Sequence, residues 1–268
     1  NLEQRRESVD GAARLVIVAV SELQFEERAA RAVLHISAGH PPGEGVHYCA
    51  KPIGGELAFV FTAAGAAYPG MGAQLLRSMP ELIDPISSRF PLRDTAGWIQ
   101  DPDVAPSPSD FLWGTSLLSQ AHVELSRNVL QLRPSAAIGY SSGESNSLYA
   151  FGIWSDMDAM RQEIDASGMM ERELGRDFEA IARAWGTSSA SWAMWNVLAP
   201  IADVEAAIEG EDLVHLAIIN TATDVVIGGD STACARVVEV IGARRCRTVE
   251  YNLACHVPEV AAAFHQSW

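Results

Sequence analysis

Pro134-Ser135-Ala136-Ala137-Ile138-Gly139-Tyr140-Ser141-Ser142-Gly143-Glu144 decides how the rest of the chain is read. A short apolar run enters Gly139-x-Ser141-x-Gly143, and a helix-forming run leaves it. That is the order strand, sharp turn, helix. Such a turn sets Ser141 at its apex with the hydroxyl exposed, and the flanking glycines let strand and helix pack closely. The backbone N–H groups that follow open a helix, so they point outward and can hold developing negative charge. The pentapeptide alone also fits a Gly/Ser-rich loop; its place between a strand and a helix favours a nucleophile.

Upstream, Leu57-Ala58-Phe59-Val60-Phe61 reads as a strand that runs into a small-residue loop from Thr62 to Gly72. Small side chains there let backbone approach a ligand, and the loop could supply a second oxyanion N–H beside Ser141. Tight packing of strand on helix is the other reading. Gln74 to Phe90 reads as helical, broken by Pro80 and Pro85. Asp101 to Ser109 reads as an exposed loop, and Phe111 to Leu132 as a buried helix. Downstream, Ser145 to Phe151 continues the helix and Gly152 ends it. Ser155-Asp156-Met157-Asp158 resembles a capping box for a helix reaching about Ala166. Ser167-Gly168 breaks the pattern before helical spacing resumes from Met169 to Ala184.

From Trp192 the pattern becomes strand (to Leu198), helix (Ile201 to Ile208), two strands (Leu213 to Asn220, Val225 to Gly228), helix (Ala233 to Ile241) and strand (Cys246 to Tyr251). The order β-α-β-β-α-β is the ferredoxin-like arrangement. It lies between Ser141 and the chain end, like a small lobe inserted in a larger α/β fold. The reading is thus a core over 56–188, a small lobe over 189–251 and a return to the core over 252–268. Residues 1–55 read as part of an α/β linker, with a buried strand Leu15 to Val20 and a helix Ser21 to Leu34 boxed by Ser21 and Gln24.

The 268 residues suffice for a sizeable core, and 48% hydrophobic with 20% charged content is that of an ordinary globular chain. A net charge of −15 argues against nucleic acid and anionic membrane surfaces as partners. Cys49, Cys234, Cys246 and Cys255 are scattered, without metal-ligand spacing, and read as free thiols of a cytoplasmic protein. No run has membrane-spanning length. The chain starts at Asn1 without Met and ends at Trp268, which reads as a piece of something longer.

A serine hydroxyl needs a base within hydrogen-bond reach. Histidine suits, with an unperturbed pKa of about 6.5. The downstream candidates are His215, His256 and His265. His215 lies mid-strand and His265 in a terminal helix; His256 sits at the lobe junction, in Asn252-Leu253-Ala254-Cys255-His256-Val257-Pro258, and is favoured on position. No acid is clearly placed to orient it, so a backbone carbonyl could do so, giving a dyad.

Phe61 to Gly72, Gly139 to Glu144, Asn220 to Gly229 and Cys255-His256 together resemble the motifs of one family. It is that of malonyl-CoA:acyl carrier protein transacylases and polyketide synthase acyltransferase domains. Gly139 to Glu144 with Leu253 to His256 is most similar to the iterative enediyne synthases. The resemblance implies an α/β-hydrolase-like core with an inserted ferredoxin-like subdomain. It implies that Ser141 takes malonyl from malonyl-CoA and passes it to the phosphopantetheine thiol of an acyl carrier protein, with His256 as base and then acid. It also implies an oxyanion hole from the N–H groups of Ala64 and Ser142, no bound cofactor, and a ketosynthase neighbour joined by the linker. Tyr140, Cys255 and Asn220 fall at substrate-binding positions. Tyr140 replaces the family's histidine, and Ala64 and Ala67 replace its glutamines. The arginine that clamps malonate falls at Ala166, and Arg172 is the favoured substitute over Arg161. A serine esterase or thioesterase, and a non-catalytic scaffold domain, are the competing readings; the first lacks an evident acid and His-Gly-Gly loop.

Overall fold

The apolar run at Arg14–Ile17 forms strand β1, and Val46–Cys49 forms β2, its antiparallel partner. Between them helix α1 spans Glu22–Ser37. Ser21 Oγ accepts from Gln24 N–H at 3.2 Å, and Gln24 Oε1 accepts from Val20 N–H at 2.9 Å. The box therefore forms, with its return bond one residue earlier than a standard capping box places it. β1 is not the buried strand expected: Leu15 and Val16 are exposed, because a two-stranded sheet with a single helix covers little of either face. These residues make one unit, and a second begins at Ala58. The computed structural model describes residues 13–51, 54–68, 70–87, 90 and 106–264.

In the second unit, β3 (Ala58–Phe61) and β4 (Ala136–Gly139) pair in parallel, with Phe61 opposite Gly139. Parallel neighbours need a long crossover. It carries α2 (Ala73–Ser78), α3 (Asp84–Ser87) and α4 (Pro108–Glu124). Pro85 lies inside the first turn of α3, where a missing N–H costs little, so it does not break the helix. The expected loop from Asp101 lies outside the described residues as far as 105. From Ser107 the chain already caps α4, with a reciprocal Ser107–Asp110 box. α4 is buried along most of its length and passes into a π-turn over Leu125–Val129.

α5 (Gly143–Ala150) follows the Ser141 turn, and α6 (Met157–Ser167) follows α5. The cap of α6 is Asp156, whose carboxylate accepts from Ala159 N–H at 2.8 Å, rather than Ser155. A charged acceptor suits the positive end of a helix better than a hydroxyl. Beyond Gly168 the chain makes a π-turn over Met169–Glu173, and α7 runs only over Glu179–Trp185.

The small lobe follows as β5 (Trp192–Val197), α8 (Ile201–Ile208), β6 (Val214–Thr221), β7 (Asp224–Asp230), α9 (Ser231–Ile241) and β8 (Cys246–Thr248). Its sheet is antiparallel, in the order β6-β7-β5-β8. Val204, Val237 and Val238 of the two helices pack on Val197, Val225 and Ile227 of the sheet, all buried. The element order is the one the sequence pattern predicts; β8 stops three residues short of Tyr251. α10 (Pro258–Phe264) then follows, and the expected continuation to Trp268, with His265, lies outside the described residues.

Candidate active site

Ser141 sits between β4 and α5 with φ 51°. A left-handed conformation costs a residue with a side chain about 1–2 kcal/mol. The surroundings enforce it. A Cβ on Gly139 would lie 2.3 Å from Glu144 N, and one on Gly143 would lie 2.3 Å from Phe61 O. Tyr140 N–H donates to Phe61 O at 3.0 Å, and Gly143 N–H to Tyr140 O at 2.9 Å. Both glycines are thus there for backbone approach, and the hydroxyl is lifted off the turn.

His256 Nε2 lies 2.9 Å from Ser141 Oγ, within range for direct proton transfer. His256 has φ 59°, and its loop is also held. Ala254 N–H donates to Leu174 O at 2.7 Å, while Leu253, Ala254 and Val257 are buried. Three residues on, Glu259 Oε1 accepts from Trp185 Nε1 at 3.0 Å and from His215 Nε2 at 2.9 Å. His215 is therefore a structural partner of the carboxylate. Burial holds the His256 imidazole below its ordinary pKa, and the Glu144 carboxylate opposes that shift. At neutral pH the ring is uncharged and can take a proton. Among the described residues no carboxylate hydrogen-bonds it, and its ring bonds Ser141.

The two expected oxyanion donors lie side by side. Ser142 N–H takes no acceptor among the described residues. Ala64 N–H donates to Ser142 Oγ at 3.0 Å, so an oxyanion must displace that hydroxyl to use it. Tyr140 O–H donates across to Asn220 Oδ1 at 3.0 Å. Burial pushes the Cys255 thiol up to about 12, so it stays protonated and is no rival nucleophile. Ser141, Ser142, Ala64, Tyr140, Asn220 and His256 are linked by these contacts. Arg172 is exposed, and its Nη2 donates to Ser167 O at 3.0 Å, at the end of α6. Glu259 and Trp185 gave no signal in sequence. A carboxylate opening a helix after Pro258 is too common a pattern to mark the support of the His256 loop.

Among the described residues no group of His, Cys, Asp and Glu could hold a metal ion, and no helix is long and apolar enough to cross a membrane. No protein-family profile matches the chain. A non-reducing polyketide synthase of Arthrinium sp is 27% identical over 217 residues, which are 77% of this chain and 10% of the synthase. The chain spans about a tenth of the length of the curated relatives it matches. The acyltransferase domain from the second module of the salinomycin polyketide synthase has a similar structure, with a TM-score of 0.68 and 22% identity. That match covers 95% of this chain and 57% of the other. The malonyl-CoA:acyl carrier protein transacylase of Xanthomonas oryzae gives a TM-score of 0.60 at 24% identity, over 80% of this chain and 68% of the other. The chain has the mixed α/β fold of these acyltransferases, and sequence relatives it matches are polyketide synthases.

Proposed function

We propose that this chain loads malonyl from malonyl-CoA onto the phosphopantetheine thiol of an acyl carrier protein through an ester on Ser141. The 2.9 Å contact between Ser141 Oγ and His256 Nε2 carries this reading. His256 takes the Oγ proton as Oγ attacks the thioester carbonyl. The tetrahedral oxyanion is held by Ser142 N–H and, once the Ser142 hydroxyl turns aside, by Ala64 N–H. The imidazolium returns its proton to the departing CoA thiolate, leaving the ester. The carrier's thiol then gives its proton to Nε2, attacks the ester and releases Ser141, which is reprotonated. A neutral resting imidazole, set by burial, suits the base half of each step.

The finer readings follow the motifs. The core is hydrolase-like and the lobe between Ser141 and His256 ferredoxin-like, an assignment supported by the strand order β6-β7-β5-β8. The first unit serves as the linker to a ketosynthase domain, and the whole works in the cytoplasm in an iterative, enediyne-type synthase. Tyr140, Cys255 and Asn220 line the acyl site. Arg172 meets the malonyl carboxylate with the guanidinium donors that its bond to Ser167 O leaves free. Competition among malonyl-, methylmalonyl- and acetyl-CoA for Ser141 tests this. Malonyl should win in the unsubstituted protein, and Arg172→Ala should lose that preference. Equal labelling by malonyl-CoA in both proteins removes Arg172 from the site.

A further inference from the structure

We propose that Tyr140 and Asn220 form a latch between core and small lobe that keeps water from the ester on Ser141. The inference rests on the transferase reading above. Tyr140 stands one residue before the nucleophile, and its backbone is fixed to Phe61 O. Its phenol reaches the small lobe, where O–H donates to Asn220 Oδ1 at 3.0 Å, bridging positions 80 residues apart in sequence.

The acceptor is held in one orientation. Asn220 Nδ2 donates to Asp224 Oδ1 at 3.1 Å, and Asn196 Nδ2 donates to the same oxygen at 2.7 Å. A flipped Asn220 amide would set its oxygen against the carboxylate, so Oδ1 faces the phenol. Thr221 and Asp224 are paired across the β6–β7 hairpin, which fixes the base of the group. The Tyr140 side chain therefore spans from the residue beside Ser141 to the small lobe.

The chemistry needs such a barrier. His256 activates any O–H or S–H that reaches the ester. Water would give its proton to Nε2 and bond to the carbonyl carbon; Ser141 Oγ would leave and take that proton back, releasing the free acid. Transfer demands that this path be slower than attack by the thiol. One neutral hydrogen bond between exposed groups resists opening by only about threefold to tenfold. That is enough to bias the ester toward closure, and weak enough for an incoming pantetheine arm to displace.

The test compares hydrolysis of preformed acyl-Ser141 with its transfer to free pantetheine, in the full chain and in Tyr140→Phe, Asn220→Ala and the double variant. Tyr140→Phe keeps the ring and removes only the bond. Each single substitution should raise the ratio of hydrolysis to transfer by about threefold to tenfold, and the double variant no further than the larger single effect, since each acts through the other. An unmoved ratio in both single variants overturns the latch, as do fully additive effects. An ester that forms with an unmoved ratio leaves the proposed function standing; absence of any ester on Ser141 in the unsubstituted protein overturns both.

Discussion

Ser141 and His256 meet at 2.9 Å, and both have left-handed backbone, with φ of 51° and 59°. Different forces hold them there. The serine turn is set by backbone against backbone: Gly139 on Glu144 and Gly143 on Phe61, all within or beside one β-turn-α unit. The histidine loop is set by partners from elsewhere in the chain, beginning with the Ala254 N–H bond to Leu174 O. Its neighbour Glu259 is bonded to Trp185 and His215, 74 and 44 residues away. The serine turn thus rests on its own β-turn-α unit and the strand beside it, and the histidine loop on distant residues. A local turn can survive changes in the rest of the fold, while the loop depends on both lobes at once.

The comparison can be broken first at its meeting point. His256→Ala should slow acylation of Ser141 by about 10²–10⁴-fold, the usual worth of a general base, in single-turnover assays. A loss under tenfold would mean that the contact is not catalytic. Gly143→Ala attacks the local side. Its Cβ would collide with backbone, so the urea midpoint should fall by the equivalent of about 3 kcal/mol. A neutral result would show that the turn has room to shift.

Glu259→Gln attacks the tertiary side. Leaving the half-buried Trp185 and His215 donors poorly paired should cost about 1 kcal/mol. Burial pushes the Glu259 carboxyl up, but the bonds from Trp185, its own backbone N–H and His215 together hold it below its ordinary pKa. Its stabilisation is therefore present above the unfolded-state value and lost as pH falls through the lower folded value. The variant should lack that acid-dependent loss; an identical stability–pH curve would contradict the assignment. The smallest effect sharpens the site itself. Glu144 raises the His256 pKa against burial, so Glu144→Gln should move the acid limb of the acylation rate to lower pH. A limb that stays or moves up would sink the electrostatic assignment.

The same division explains what could be read in advance. The Ser141 turn was legible from five residues because its glycine spacing lies within them, although Tyr140 and Gly143 also rest on Phe61 of β3. The small lobe was legible because strand and helix periods alternate cleanly from Trp192 to Thr248. Position and the Cys255-His256 motif singled out His256, but not its support. The Ser142 hydroxyl on Ala64 and the Tyr140–Asn220 bond join residues 78 and 80 apart, and no local pattern encodes such pairings. The π-turns at Leu125–Val129 and Met169–Glu173 keep helical apolar spacing, so the pattern reads straight through them. Leu15 and Val16 look like core in sequence; their exposure depends on how many layers cover the sheet.

The central claim is that one hydroxyl becomes acylated and passes its group on. Incubating the protein with malonyl-CoA and mapping the adduct by peptide mass spectrometry tests it directly. The account predicts one malonyl group on the peptide containing Ser141, absent from Ser141→Ala and discharged by a pantetheine thiol. A protein that stays unmodified, or an adduct that persists in Ser141→Ala, would contradict it.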